Sequence, residues 1–351
     1  MAHPKTVPHS LQLPEAVKTI YNAFRKAKKK VYVVGGCVRD SLLDQKPKDW
    51  DMATPCEPEE VKAILEAYRD SKHNYGIHHF PKGESFGVIS AMPWVGDHEA
   101  SKGRRPVEVE IATFRKDIGE GRRPESVEFC GMEEDAKRRD LTINALYYDP
   151  SEACLYDYVG GYADLVDRRV RCVGNPMARF REDPLRVLRY IRFFCRFSPS
   201  SWSYEKKVDS DHRKAIAVYA KMGLKDVSPE RIRQEFLSGI KQADPAFFVQ
   251  TLEAAELLRS TVFPGCKINL DRLTSRTNET LLASILYETG SGELQKILNK
   301  LTYSAEECKY VFFLTKFAEE FRSEKLAKDR EIPFPLNYAS ERLRYYHVSI
   351  P

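Results

Sequence analysis

The sequence predicts an α+β chain: a mixed sheet with helices, followed by an all-helical remainder. Three observations predict it. Between residues 31 and 150 short apolar runs alternate with stretches of helical period, the mark of a mixed α/β layer. After residue 175 the strand-like runs stop, and "PMARFREDPLRVLRYIRFFCRF" opens a region of helical period. With 351 residues, 42% of them apolar, the chain can bury more than one core.

Taken in order, residues 1–13 are rich in Pro and His and read as loose. Residues 14–29 read as an amphipathic helix, with Val17, Ile20, Tyr21, Phe24 and Ala27 at helical spacing. Its basic end (Arg25, Lys26, Lys28, Lys29, Lys30) suits the negative pole of a helix, and equally a contact with RNA phosphate. Strands are predicted at 31–34, 48–53, 86–91, 107–114 and 144–149, and helices at 37–43, 57–69 and 133–143. The composition shift near 150–175 marks a domain boundary. Further breaks fall at "GLKDVSPE", "FPGCKI" and "EIPFPLNY", where Pro and Gly punctuate the chain. The expected division is 14–150, 151–225, 226–300 and 301–351.

Several function classes are disfavoured. The eight cysteines form no C-x-x-C and have no His pair at metal spacing, which speaks against zinc and for free thiols in a reducing compartment. There is no apolar run long enough to span a membrane and no secretory leader pattern, so the expected location is cytoplasmic and no membrane partner is expected. The net charge of +5 is compatible with a nucleic-acid partner without demanding one. Nothing in the sequence speaks to oligomeric state.

Candidate chemistry begins at "VYVVGGCVRDSLLDQKPKDWDM". On a strand, Asp49 and Asp51 face the same side about 6–7 Å apart, with Trp50 turned to the core. Two carboxylates so placed repel unless a cation sits between them, and Mg²⁺ prefers carboxylate and phosphate oxygens. A solvated loop would carry the same D-x-D. Gly35-Gly36 follows an apolar strand and opens a helix, a turn that can bring backbone N–H groups to phosphate. Arg39 can reach a phosphate while Asp40 braces the turn; the plainer reading of the two is a surface pair. In "VEVEIATFR" the alternation puts Glu108 and Glu110 on one face, and a neighbouring strand could bring Glu110 to Asp49 and Asp51. Three carboxylates, two Mg²⁺ ions and a triphosphate make a site for in-line nucleotidyl transfer. Otherwise Glu110 is a salt-bridged strand residue.

In "KRRDLTINALYYD", Asp140, Thr142 and Asn144 can cap a predicted apolar helix, or Arg138 and Arg139 can take phosphates and Asp140 a ribose hydroxyl, with Asn144 beside them. In "REDPLRVLRYIRFFCRF", Arg186, Arg189, Arg192 and Arg196 share one broad face opposite Leu185, Leu188, Ile191, Phe194 and Cys195. Such a stripe is a phosphate-binding surface or a solvated basic face. Asp183 and Arg186, three apart, could read a base. The carboxylate accepts from an exocyclic amine and the guanidinium donates to a ring acceptor, which admits C and A and rejects U and G. The Asp-Pro step reads equally as an N-cap followed by Pro at the first helical position.

Six stretches in order, "VVGGCVRDSLL", "KDWDMAT", "VEIATFR", "RRDLTINAL", "DYVGGYADL" and "REDPLRVLRYIRF", resemble the motifs of the class II tRNA nucleotidyltransferases, the CCA-adding enzymes of the polymerase β-like superfamily. The likeness covers residues 30–240. It implies a polymerase β-like nucleotidyltransferase head at 14–150, a neck at 151–225, a body at 226–300 and a short tail at 301–351. It implies catalysis by Asp49, Asp51 and Glu110, with Asp49 and Asp51 as Mg²⁺ ligands. Gly35, Gly36 and Arg39 would hold the triphosphate, Asp140 would select ribose, and Gly160-Gly161 would be a hinge. Asp183 and Arg186 would template C and A. "SPERIRQEF", through Glu230, Arg231 and Glu235, would support that template. Residues 116–129 resemble the loop that helps the switch from C to A. The implied reaction adds C, C and A to tRNA from CTP and ATP. Trp50 and Leu141 depart from the family pattern as core packing changes. CC-adding, A-adding and poly(A)-adding enzymes are the alternatives within the family. "YGIHHFPKGESFGV" is closer to the CCA-adding pattern than to the Gly-Arg-Arg-Phe-like segment of poly(A) polymerases. A non-catalytic RNA-binding protein on the same scaffold is the remaining alternative, against which the intact carboxylates speak.

Overall fold

The computed structural model describes residues 4–69, 76–83, 87–93, 107–119, 126–270 and 278–326. The chain divides into two compact units, Met1–Asp183 and Pro184–Pro351. The division falls later than the composition shift at 150–175. The hairpin of β-strands at 146–149 and 154–157 belongs to the sheet of the first unit.

The first unit is built on an eight-stranded mixed sheet in the order β1-β10-β9-β2-β3-β6-β5-β4. The strands are β1 (Lys5–Pro8), β2 (Tyr32–Val34), β3 (Trp50–Thr54), β4 (Ile77–Gly83), β5 (Val88–Pro93), β6 (Val109–Thr113), β9 (Leu146–Asp149) and β10 (Cys154–Asp157). β7 (Arg115–Ile118) and β8 (Ser126–Phe129) form a separate antiparallel ribbon. Central β2 is buried throughout, as an uninterrupted apolar run requires. β3 and β6 pair in parallel; their sheet neighbours are antiparallel. Helix α1 (Glu15–Lys26) buries Val17, Ile20, Ala23 and Phe24. α2 (Gly36–Leu42) follows β2 directly, and α3 (Pro58–Ala67) follows β3.

Several expectations are corrected. Residues 5–8 are not loose but form an edge strand paired with β10. Their side chains are mostly exposed, so they carry no alternating signal. β4 holds Pro81, which a central strand would not tolerate; at the sheet edge the missing N–H costs no ladder bond. The helix expected over 133–143 ends at Lys137, and residues 142–144 make one 3₁₀ turn before β9. Trp50 and Leu141 are buried, as their apolar character implied.

From Pro184 onward the regular elements among the described residues are all helices. The principal helices are Arg186–Phe197, Ser210–Met222, Pro229–Gln242, Pro245–Ala254, Asn278–Leu286, Ser291–Lys300 and Ala305–Leu326. Pro229 and Pro245 open theirs where the missing N–H is harmless. Asp209 and Asp244 cap the Ser210 and Pro245 helices by accepting backbone N–H bonds. Phe236 meets Phe248 and Phe263 at ring distances of 5.9 and 5.2 Å in the core of this unit. The break at "EIPFPLNY" and the tail beyond residue 326 lie outside the described residues, as does the centre of segment 116–129. Among the described residues no helix is long and apolar enough to cross a membrane.

Candidate active site

The site in the first unit is set by strand register. Asp51 of β3 and Glu110 of β6 are direct partners across the parallel pair. Asp49 precedes the strand, and its side chain is 76% exposed, 3.9 Å from Lys48. Asp51 is half-buried. Burial, then the neighbouring Glu110, push its carboxyl up to about 6; Arg139 pulls the other way and Asp49 adds to the rise. Glu110 is bridged to Lys82 of β4 at 2.8 Å, and the same ammonium lies 2.8 Å from Glu108. Hydrogen bonds from Lys82 hold the Glu108 carboxyl below its ordinary range.

Gly35 stands above Asp51. Its φ of +83° suits glycine. A Cβ there would stand 3.8 Å from Asp51 Oδ2 and 3.6 Å from Arg139 Nη1. The absent side chain therefore keeps a space open beside the carboxylate. The Gly35 N–H already donates to the Leu146 carbonyl, so this residue contributes close approach and not a free donor. At Gly36 a Cβ would stand 3.4 Å from Arg39 Nη2.

Arg39 is not a surface residue; it is 5% exposed. Its Nε donates to Asp40 Oδ1 at 2.8 Å and its Nη1 donates to Asn144 Oδ1. Asn144 Nδ2 in turn donates to Asp140 Oδ1 at 3.2 Å, which also accepts from the Leu141 N–H at 2.8 Å. Arg39, Asn144 and Asp140 thus form one chain of bonds joining α2 to the segment before β9. Arg139 donates through Nε to the Tyr147 hydroxyl and through Nη2 to Asp135, each at 3.0 Å. Burial opposes ionisation of Asp135, but Arg139, Arg138 and the Tyr147 hydroxyl outweigh it and hold the carboxyl at about 2. Asp135 lies four residues before Arg139, an acid–base spacing legible in the sequence. Tyr147 reaches the same point only through the sheet.

Gly160 and Gly161 are tightly held. Asp157 Oδ1 accepts the N–H groups of Val159, Gly160 and Gly161, and its Oδ2 accepts that of Tyr162. Asp183 follows the helix Pro176–Glu182 with extended backbone. In the second unit, the helix that begins at Arg186 has Leu185 at its N-cap, without a side-chain cap bond. That start is two residues later than the Asp-Pro step predicts.

The four arginines of that helix do not form one exposed stripe. Arg192 is 5% exposed. Its Nε donates to Glu235 and its Nη1 to Gln242, both at 2.7 Å. Arg189 lies 3.7 Å from Glu235 as well. Glu235, on the helix Pro229–Gln242, therefore braces the arginine face. Replacing Arg192 by alanine leaves Glu235 without its closest cation and is expected to cost about 2 kcal/mol, read from the urea midpoint.

Among the described residues no three acidic, His or Cys side chains converge as a complete metal-ligand set. The donor chemistry of Asp51 and Glu110 nevertheless suits a hard cation, because Mg²⁺ is commonly held by one or two carboxylates with substrate phosphates completing its shell. Burial and the neighbouring Glu110 both disfavour the ionised Asp51 carboxylate, and a bound cation would offset both.

Comparison with known proteins bears on the chain's family and fold. Residues 31–171 match the family described as the poly A polymerase head domain. The chain is 31% identical over 274 residues to poly(A) polymerase I of Salmonella typhimurium, covering 78% of this chain and 55% of that protein. It is 37% identical over 221 residues to mitochondrial CCA tRNA nucleotidyltransferase 1 of Mus musculus, covering 62% of this chain and 45% of that protein. The chain spans about half the length of these curated relatives. The fold matches the Bacillus stearothermophilus CCA-adding enzyme in complex with CTP, with a TM-score of 0.66 at 24% identity, covering 88% of this chain and 71% of that one. Residues 31–171 thus carry a poly A polymerase head domain, and the relatives this chain is similar to include both CCA tRNA nucleotidyltransferases and poly(A) polymerases.

Proposed function

We propose that the chain adds C, C and A to the 3′ end of tRNA from CTP and ATP. The terminal ribose hydroxyl attacks the α-phosphorus, the new P–O bond forms, and the bond to the leaving pyrophosphate breaks. The observation that carries this reading is the register pairing of Asp51 with Glu110 beneath the open space at Gly35. Asp49 and Asp51 would hold Mg²⁺, with Glu110 as the third carboxylate. Mg²⁺ bound there supplies Lewis acidity toward the attacking hydroxyl and the departing pyrophosphate. Arg139 presents Nη1 to the same space. Arg39 acts from behind, by fixing Asn144 and Asp140, and Asp140 selects ribose. Asp183 and Arg186 read the base, with Arg189 and Arg192 braced by Glu235 in support. The expected partners are tRNA and the two nucleotides.

The higher identity to a CCA tRNA nucleotidyltransferase supports CCA addition over its alternatives. Poly(A) addition is the second reading, favoured by the longer alignment to a poly(A) polymerase. Labelled CTP or ATP, offered with tRNAs ending before the first C, after C and after CC, separates them. CCA addition gives growth that stops at A; poly(A) addition gives long A tracts without C. CC-adding and A-adding activities would each extend only part of the series. In the same assay Asp183→Ala is expected to relax the choice of C and A over U and G by roughly 5- to 100-fold, the worth of one base-reading pair. Unchanged selectivity would remove Asp183 from the template.

A further inference from the structure

Resting on the nucleotidyl-transfer reading, we propose that Asp135 and Tyr147 form a buried clamp that positions Arg139 against the triphosphate of the incoming nucleotide. Both are positioning residues; Asp135 lies outside the motifs read from the sequence, and Tyr147 stands in "KRRDLTINALYYD" with no role read for it there. Asp135 is 1% exposed and Tyr147 0%. The Tyr147 hydroxyl donates to Asp135 Oδ2 at 2.6 Å and accepts from Arg139 Nε at 3.0 Å. Asp135 Oδ2 also accepts from Arg139 Nη2 at 3.0 Å, and its Oδ1 accepts from Arg138 Nε at 2.8 Å. The guanidinium carbon lies 5.1 Å from the centre of the Tyr147 ring.

Two nitrogens along one edge of the guanidinium are thus tied, which fixes its plane. Its third nitrogen, Nη1, faces Gly35, 3.6 Å from where a Cβ would stand. A side chain at Gly35 would occupy the space that this donor faces. A planar cation beside a gap lined by a carboxylate is matched by phosphate oxygens, which accept its N–H while a metal ion neutralises the carboxylate. A donor held in place before the nucleotide arrives needs no reorganisation during the reaction. The cluster also ties the helix Met132–Lys137 to the sheet, so stability alone would not reveal its role.

The test measures ATP, tripolyphosphate and adenosine binding to the full chain at equilibrium, without RNA. Tyr147→Phe keeps the ring and removes the hydroxyl; Asp135→Asn keeps the shape and removes the charge. Each is expected to weaken ATP and tripolyphosphate about tenfold, the scale of one charge-assisted hydrogen bond, and to leave adenosine within about twofold. The KM for ATP and CTP should rise more than kcat falls, and Arg139→Lys should reproduce the pattern. If Asp135→Asn does not fold, Tyr147→Phe decides alone. A lower melting temperature with unchanged tripolyphosphate affinity overturns the clamp, as does equal weakening of adenosine. A wild-type chain that binds neither ATP nor tripolyphosphate overturns the nucleotidyl-transfer reading and the clamp with it.

Discussion

Asp51→Ala is expected to lower incorporation of both CMP and AMP by roughly a thousandfold, the scale on which loss of one electrostatic anchor in a transition state is felt. The fold should survive, and this separates a chemical role from a structural one. Asp51 is half-buried beside Glu110, and its carboxyl sits up at about 6. Protonation therefore favours the folded chain. That share of stability is complete below about pH 4 and is lost as the pH rises through about 6. At pH 7 without metal, the ionised carboxylate costs on the order of 2 kcal/mol, so its removal should raise the melting temperature. Asp51→Asn should flatten the stability profile between pH 4 and 6. A variant that unfolds at pH 7, or one that retains full incorporation, would remove Asp51 from the active site.

Gly161→Ala is expected to destabilise the first unit by about 3 kcal/mol or more, near the upper end for overpacking. A Cβ at this position would stand 2.0 Å from the Thr142 carbonyl oxygen and 2.7 Å from its carbon. The obstacle is backbone, and that backbone is pinned. The Thr142 N–H donates to the Arg171 carbonyl at 3.0 Å, and its hydroxyl donates to Asp164 at 2.6 Å. Neither partner can retreat without breaking a buried bond. The melting temperature should fall by roughly 6–12 °C in calorimetry. Gly292→Ala is the contrast, because a Cβ there meets nothing within 4 Å. In its helix the change should gain about 0.5–1 kcal/mol. A neutral Gly161→Ala would mean that the Thr142 segment can yield. It would then favour the hinge that the family resemblance implies at this pair.

The residues that announce the fold are those whose role is local. "VYVVGG" states a buried strand and a tight turn in its own composition, and the structure has both. Asp51 and Glu110 were legible as carboxylates on strands, but their meeting depended on β3 and β6 being parallel neighbours, which alternation cannot specify; Asp49, read onto the same strand, stands just before it and exposed. β1 and β4 escaped notice because edge strands hold exposed side chains and, in β4, a proline. Arg192 shows the opposite failure. Helical spacing placed it on a basic face, yet a partner helix supplied Glu235 and Gln242 and took it into the interior. For Arg39 only the surface-pair reading fails, since its acceptor Asn144 lies 105 positions away in the chain. Periodicity tells which side a residue takes on its own element and is silent about what the opposite element brings.

The parallel contact between β3 and β6 also bears on how the molecule comes into being. Asp51 and Glu110 lie on strands with the β4–β5 hairpin between them in the chain, so no local hairpin can bring them together. Chain closure must precede any reward from their pairing, which makes this a late step in folding. The same arithmetic makes the intervening sequence permissive. Each doubling of a closed loop costs only about 0.6 kcal/mol, so added residues between β5 and β6 should slow assembly far more than they loosen the finished sheet.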